Sequence, residues 1–170
     1  MNVTYKRLEP RHSSQYRVIR LHSLQSNPEA YGSSYEEEAA LEKLFFERCI
    51  EDKNEEYFVL GAFIDEKLIG ICAVARNKLL KTRHRAELIQ VFVSPEFRGK
   101  NISTNLLQAA ISEAKKINGI EQLELGVSAM NKPAIAAYKK AGFNETVTNK
   151  RCLKVNGKYI DELLMVLFIS

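Results

Sequence analysis

The apolar positions of this chain change period several times, and each change marks an element. Residues 3–8 form a short opening run of strand character. Beyond Pro10, Tyr16, Ile19 and Leu24 recur at helical spacing until Asn27-Pro28 breaks the pattern. Ser33 and Ser34, followed by Glu37 and Glu38, have the form of a helix cap. The spacing predicts one helix from there to about residue 50, with Ala40, Leu41, Leu44, Phe45 and Cys49 as its apolar stripe. Residues 57–64 and 68–74 are β-rich runs joined by Asp65-Glu66-Lys67, a hairpin signal, and the second run extends towards Leu80. In residues 87–93 alternation sets Glu87, Ile89, Val91 and Val93 on one face and Leu88, Gln90 and Phe92 on the other. Ile102, Leu106, Leu107, Ala110, Ile111, Ala114 and Ile117 then define an amphipathic helix that Asn118-Gly119 ends. A strand over 122–127 and a short helix over 133–140, closed by Gly142, follow. The last two strands, 144–155 and 159–169, flank Asn156-Gly157, a strong hairpin signal.

This order (strand, two helices, three strands, helix, strand, helix, two strands) predicts an α/β (α+β) fold, a mixed sheet with helices on its faces. No repeat, low-complexity stretch or Pro/Gly-rich linker divides the 170 residues, so residues 1–170 read as a single domain. With 45% hydrophobic and 27% charged residues the composition is that of a globular protein, which excludes disorder, collagen and a disulfide scaffold. The longest apolar run, residues 163–169, is far short of the roughly 20 residues that span a bilayer and reads as a buried strand. No apolar segment with the form of a secretory signal opens the chain. Cys49, Cys72 and Cys152 are odd in number and lack metal-ligand spacing, as expected of reduced, mostly buried thiols in the cytoplasm. His12, His22 and His84 also lack ligand spacing, so no metal is expected, and they read as surface or turn residues.

Charge changes the picture by its distribution. The net charge of +4 is too weak to argue for a nucleic-acid partner. Residues 29–56, however, carry ten acids and three bases, while residues 76–100 carry seven bases and two acids. The first stretch suits a cation and the second a polyanion; a solvated helix face and a basic turn explain them equally well.

The most informative stretch is Val91-Phe92-Val93-Ser94-Pro95-Glu96-Phe97-Arg98-Gly99-Lys100-Asn101-Ile102-Ser103-Thr104. A strand ends at Val93, Pro95 stops its ladder, and a basic Gly-containing turn opens directly into the long helix. The first amides of that helix lack intrahelical partners and, with the helix dipole, form a site for an anion such as a pyrophosphate. Arg98 and Lys100 add counter-charge. The spacing is neither that of a Walker A loop nor of a Gly-x-Gly-x-x-Gly turn.

Together with Asn131-Lys132-Pro133-Ala134-Ile135-Ala136-Ala137-Tyr138-Lys139-Lys140-Ala141-Gly142-Phe143, this stretch resembles the GNAT superfamily of acyl-CoA-dependent N-acetyltransferases. The first segment is similar to the family's Arg/Gln-x-x-Gly-x-Gly/Ala pyrophosphate motif, the second to its Asn-x-x-Ala-x-x-x-Tyr-x-x-x-Gly-Phe helix, and the likeness covers nearly the whole chain. It implies a mixed, mostly antiparallel central sheet whose two parallel strands splay apart over acetyl-CoA. The sequence departs from the pattern where Asn101 and Ser103 stand for glycines. Asn tolerates left-handed geometry better than most residues, so an anion site is expected to survive with weaker cofactor binding.

The resemblance implies roles residue by residue. The backbone of Val91, Phe92 and Val93 would pair with the pantetheine arm; the amides of Arg98, Gly99, Lys100, Asn101, Ile102, Ser103 and Thr104 would hold the pyrophosphate. Asn131 would bond the pantetheine and Ala134 pack beside it. Tyr138, a neutral phenol near pH 7, would protonate or hydrogen-bond the departing thiolate. Glu87 would accept a proton from the amine, its alternative being an ion pair with Arg83 or Arg85. The acceptor is expected to be a primary amine on a small molecule or peptide, attacked in a ternary complex. It would lie mainly with the two N-terminal helices, the loop of residues 27–34 and the closing hairpin. The acidic second helix hints at a cationic amine such as a polyamine, a basic peptide or an aminoglycoside-like molecule, while the Asn, Ser and Tyr residues of 27–35 suit a peptide or amino acid equally well. Two other readings stay open: a non-catalytic module of the same fold that binds acyl-CoA or a partner, and a homodimer formed through the closing strands. No nucleic acid or membrane partner is expected.

Overall fold

The computed structural model describes residues 2–170. β1 (Val3–Arg7) pairs antiparallel with β2 (Tyr57–Ile64), β2 with β3 (Lys67–Arg76), and β3 with β4 (Arg85–Val93). β5 (Gln122–Ser128) runs parallel to β4, and β7 (Lys158–Phe168) separates β5 from the edge strand β6 (Asn144–Val155). The strand order is therefore β1-β2-β3-β4-β5-β7-β6, a mixed sheet as the pattern predicts, and mostly antiparallel as the resemblance implies. The one parallel step needs a crossover, and α4 (Ile102–Lys115) provides it.

Two apolar layers hold the sheet. On one face Leu106, Leu107, Ala110 and Ala114 of α4 pack on Leu60, Cys72, Val74 and Leu88, joined by Ile135 and Tyr138 of α5 (Lys132–Lys140). On the other, Tyr16 and Ile19 of α1 (Ser13–Ser26) and Phe46, Cys49 and Ile50 of α3 (Phe45–Glu51) cover Val59, Phe63, Ile71, Ala73 and Phe92. Each such fully buried large side chain contributes about 1.5–3 kcal/mol relative to exposure. The turns carry the expected chemistry: Asn156 and Gly157, at φ 48° and 77°, close the β6–β7 hairpin between Val155 and Lys158.

The single helix predicted between residues 33 and 50 is two. Ser34 does cap α2 (Tyr35–Ala39), accepting from the Glu37 amide while the Glu37 carboxylate accepts from Ser34. The chain then leaves the helix, and Leu44 is extended and buried. Arg17 holds this break open by donating to the free carbonyl of Leu41 at 2.7 Å and to the Glu47 carboxylate at 2.7 Å. Glu47 in turn accepts from the Leu44 amide. The restart rotates the buried stripe to Leu44, Phe46, Cys49 and Ile50, leaving Leu41 and Phe45 exposed. Likewise β3 ends at Arg76, short of Leu79 and Leu80, which are exposed.

A second correction bears on the site. The predicted alternation along residues 87–93 is interrupted at Gln90, whose φ is 56°, and the β3–β4 register shifts there: Ala73 faces Ile89 but Ile71 faces Phe92. Leu88, Val91 and Val93 therefore pack on the α4 side, and Ile89 and Phe92 on the α1 side. Glu87, set between Ala86 and Leu88, lies on the α1 face and does not share a face with Val91 and Val93. The Tyr16 hydroxyl donates to Gln90 Oε1 at 2.7 Å, so the helix on that face grips the bulge.

His12 is a third departure, because it is buried. Its Nδ1 accepts from the Glu9 amide at 2.9 Å, its ring meets Phe63 with centroids 5.0 Å apart, and Nε2 has no partner among the described residues. Burial, aided by Arg11, holds its pKa below the ordinary 6.5. The unfolded chain then takes up the proton first, so this contribution to stability is complete above 6.5 and is lost as pH falls towards the folded-state value. Urea unfolding between about pH 7.5 and 5.5 should show a falling midpoint in the native protein and a flatter profile in His12→Asn. Equal slopes would assign the acid sensitivity to other groups.

Candidate active site

β4 and β5 pair only through Arg85–Gln122, Ala86–Leu123 and Glu87–Glu124; beyond Glu87 the two strands have no ladder between them. A cavity of about 1050 Å³ occupies the gap, large enough for a cofactor and a small acceptor. Of the sequence-predicted residues, Glu87, Val91, Phe92, Val93, Arg98 and Gly99 line it from β4 and the following turn. Ile102 and Ser103 line it from α4, and Asn131, Ala134 and Tyr138 from α5. Lys100, Asn101 and Thr104 do not contribute to its wall. Lys100 instead sets its ammonium 5.8 Å from the Phe97 ring centroid.

The turn has the left-handed backbone that Gly and Asn tolerate. Gly99 has φ 75° with open space where a Cβ would stand, and Asn101, the residue before α4, is left-handed at φ 59° and ψ 12°. Among the described residues, no protein acceptor takes the amides of residues 99–104. They are free donors at the positive end of a 14-residue helix, and the donor set fits a diphosphate. The Arg98 side chain folds back instead. Nε donates to the Val93 carbonyl at 3.0 Å and Nη2 to Asn27 Oδ1 at 3.0 Å, so it ties the turn to the strand before it and to the loop after α1.

That loop, residues 27–34, roofs the cavity. The Tyr31 hydroxyl donates to the Val91 carbonyl at 3.1 Å. Both Val91 and Val93 thus have carbonyls engaged by a side chain, each retaining a second lone pair. Burial raises the Tyr31 pKa and keeps it a donor. Asn131 accepts from the Ala134 amide at 3.2 Å as the cap of α5, which leaves its Nδ2 group free.

Tyr138 is 8% exposed, its ring packed edge-on to Phe143, and its hydroxyl has no hydrogen-bond partner among the described residues. Burial pushes its pKa well above the ordinary value, so the phenol is neutral at any physiological pH. Glu87 keeps a free carboxylate, because the two arginines that could have taken it are engaged elsewhere: Arg83 with Glu56, and Arg85 in a two-pronged pair with Glu124 at 2.5 and 2.6 Å. Four of the ten acids of residues 29–56 are spent the same way, with Glu38 on Arg20, Glu47 on Arg17, Glu51 on Lys43 and Glu56 on Arg76 and Arg83. The loop of residues 27–34 and the closing hairpin, expected on the acceptor side, supply Tyr31 and Glu162 to the cavity wall, but sequence reasoning did not single out either residue's role, and it missed Gly126, which also lines the cavity. Only the polar composition of the loop signalled the first; the other two face the cavity through a strand pairing that local pattern does not encode.

Among the described residues no helix is long and apolar enough to cross a membrane, and no group of three His, Cys, Asp or Glu side chains is gathered as a metal site. Residues 18–143 match the model of the acetyltransferase (GNAT) family. The chain is 34% identical to an uncharacterized N-acetyltransferase of Methanocaldococcus jannaschii over 65% of its own length, and spans only 49% of that relative's. It is 26% identical to the spermidine N(1)-acetyltransferase of Escherichia coli K12, over 95% of this chain and 85% of that one. A putative acetyltransferase from Salmonella typhimurium, solved with its cofactor acetyl-CoA, superposes with a TM-score of 0.82 at 19% identity, covering 100% of this chain and 95% of the other. A splayed parallel pair, a free-amide turn and a family match across most of the chain converge: the protein belongs to the GNAT family of acetyltransferases.

Proposed function

We propose that the protein transfers the acetyl group of acetyl-CoA to a primary amine of a small molecule or peptide, by direct attack within a ternary complex. The observation that carries this reading is the unpartnered Tyr138 hydroxyl, on a buried residue lining the same cavity that Gly99, Ile102 and Ser103 of the free-amide turn line. Bound acetyl-CoA supplies an activated thioester. The chain supplies everything else.

The amides of residues 99–104 hold the pyrophosphate through fixed dipoles that need no reorganisation. The edge of β4 at residues 91–93, unladdered on the β5 side, offers backbone groups to the pantetheine, and Ala134 with Asn131 Nδ2 borders the arm. Glu87 takes the proton from the incoming ammonium, directly or through one water, since an amine of ordinary pKa about 10.4 must be neutral to attack. Tyr138 donates to the departing sulfur. A thiolate of pKa near 8.5 is a weaker base than a phenolate of pKa 10 or above, so full proton transfer is uphill and the hydroxyl acts as a hydrogen-bond donor. Arg98 contributes positive potential and rigidity, with its guanidinium committed to Val93 and Asn27. Three cysteines without a disulfide support a reducing, cytoplasmic location.

A binding-only module would give the unpartnered Tyr138 hydroxyl nothing to do. Tyr138→Phe should lower kcat by roughly 10²-fold while leaving the calorimetric Kd for acetyl-CoA within about twofold. Unchanged turnover would remove Tyr138 from the chemistry, and absence of thiol release with every amine in a broad panel would favour the binding module. Glu87→Gln should lower kcat/KM most near neutral pH and least at high pH, where the amine is already neutral; a uniform loss would exclude its role as base. At Asn101, Gly should preserve stability and acetyl-CoA affinity, whereas Val, forced into left-handed geometry, should cost about 1–2 kcal/mol in urea unfolding. Equal stability of the two variants would contradict the strained turn.

A further inference from the structure

The cavity wall is electrically two-ended. Six charged side chains line it: Arg20, Arg85, Arg98, Glu87, Glu124 and Glu162. Arg20 is paired with Glu38 and Arg85 with Glu124, which removes four of the local charges in couples. Arg98 remains at the turn before α4. Glu87 and Glu162 remain at the other end, and neither has an ion-pair partner among the described residues.

Glu162 reaches that position because of a missing side chain. On the α1 face, Glu124, Gly126 and Ser128 of β5 stand opposite Val166, Leu164 and Glu162 of β7. The Glu162 side chain leans from its own register level back over Gly126: a Cβ on Gly126 would lie 2.6 Å from Glu162 Cδ and closer still to Oε1. Cys152 donates to Oε2 at 3.3 Å and fixes the carboxylate from the outer side. Glu87 is level with Glu124, one two-residue step (about 7 Å) along β5 from Gly126 and one strand across. Tyr138 marks the same cavity as a ligand site independently: the residue is more than nine-tenths buried, lines the cavity, and its hydroxyl has no hydrogen-bond partner among the described residues.

Resting on the acetyl-transfer reading above, we propose that the acceptor is a small aliphatic diamine or polyamine, whose reacting nitrogen lies by Glu87 and whose second ammonium is held by Glu162 over Gly126. Two carboxylates without cations, a short carbon chain apart, match two ammonium groups on one chain. A monoamine with an apolar tail leaves Glu162 unpaired, and an amino acid brings a carboxylate against it.

The test compares spermidine, 1-pentylamine and glutamate, with acetyl-CoA as donor, in the native protein, Glu162→Gln and Gly126→Ala. Gly126→Ala keeps every charge and displaces only the far end of a flexible side chain. The native protein should favour spermidine over pentylamine in kcat/KM, and each variant should cut that ratio about tenfold, the scale of one charge-assisted contact. Calorimetric titration of spermidine into the CoA-bound protein reads the same site without turnover, and the variants should bind it about tenfold more weakly. Equal use of spermidine and pentylamine, a preference for glutamate, binding of a lysine-bearing peptide but not of spermidine, or ratios that neither variant changes would overturn the assignment. If spermidine binds and both variants weaken it, yet no amine is acetylated, the subsite stands and the acetyl-transfer reading fails.

Discussion

The rest of this structure depends on a sheet that comes apart at a defined point. A parallel pair sealed along its whole length would bury its backbone groups in a ladder and leave no room between its layers. Here the β4–β5 ladder stops after Glu87. The bulge at Gln90, with its left-handed backbone and its bond from Tyr16, turns β4 away from β5 and changes which residues face which helix layer. The strand then runs into a Pro-stopped turn whose amides open α4. One break in the ladder thus creates both the cavity and the anion site at its mouth. Nothing in the two apolar layers needs to move for this to hold, because α4 covers one face of the sheet and α1 and α3 the other.

The loop after α1 is best understood as part of the same device. Asn27 is bonded by Arg98 and Tyr31 bonds Val91, so the roof over the cavity is attached at two points, to the turn before α4 and to β4. The ion pairs around it have a structural character. Arg17 and Arg20 take up Glu47 and Glu38, which stabilises the interrupted helix and neutralises two of the ten acids of the acid-rich stretch. Of the carboxylates lining the cavity, the two without an ion-pair partner among the described residues lie on β4 and β7, on the sheet itself, where positioning is more rigid than on a loop.

Much of this was legible in the chain. Element order, both hairpins, the amphipathic stripe of α4, the Ser34 cap and the left-handed Asn101 follow from local pattern and turn chemistry. The turn at residues 98–104 and the Asn131 to Tyr138 helix carried enough of a family signature to point to the donor site. What was not legible arose from contacts between distant segments. The break at Leu44 depends on Arg17 reaching across from α1, and the Gln90 bulge on a hydroxyl 74 residues away in sequence. His12 reads as a surface residue until the sheet face over it, with Phe63, is known. Gly126 and Glu162 come together only through the β5–β7 register. Period-2 reasoning assumes an unbroken strand, and one extra residue was enough to put Glu87 on the face opposite Val91.

On the proposed reading, the opened edge of β4 and the free amides before α4 together receive acetyl-CoA. Residue-resolved amide hydrogen exchange, with and without saturating acetyl-CoA, tests it most directly. Exchange should slow by at least about tenfold at residues 91–93 and 99–104, with little change in β1, β2 or α3. Protection confined to other elements, with calorimetry showing the ligand bound, would contradict it.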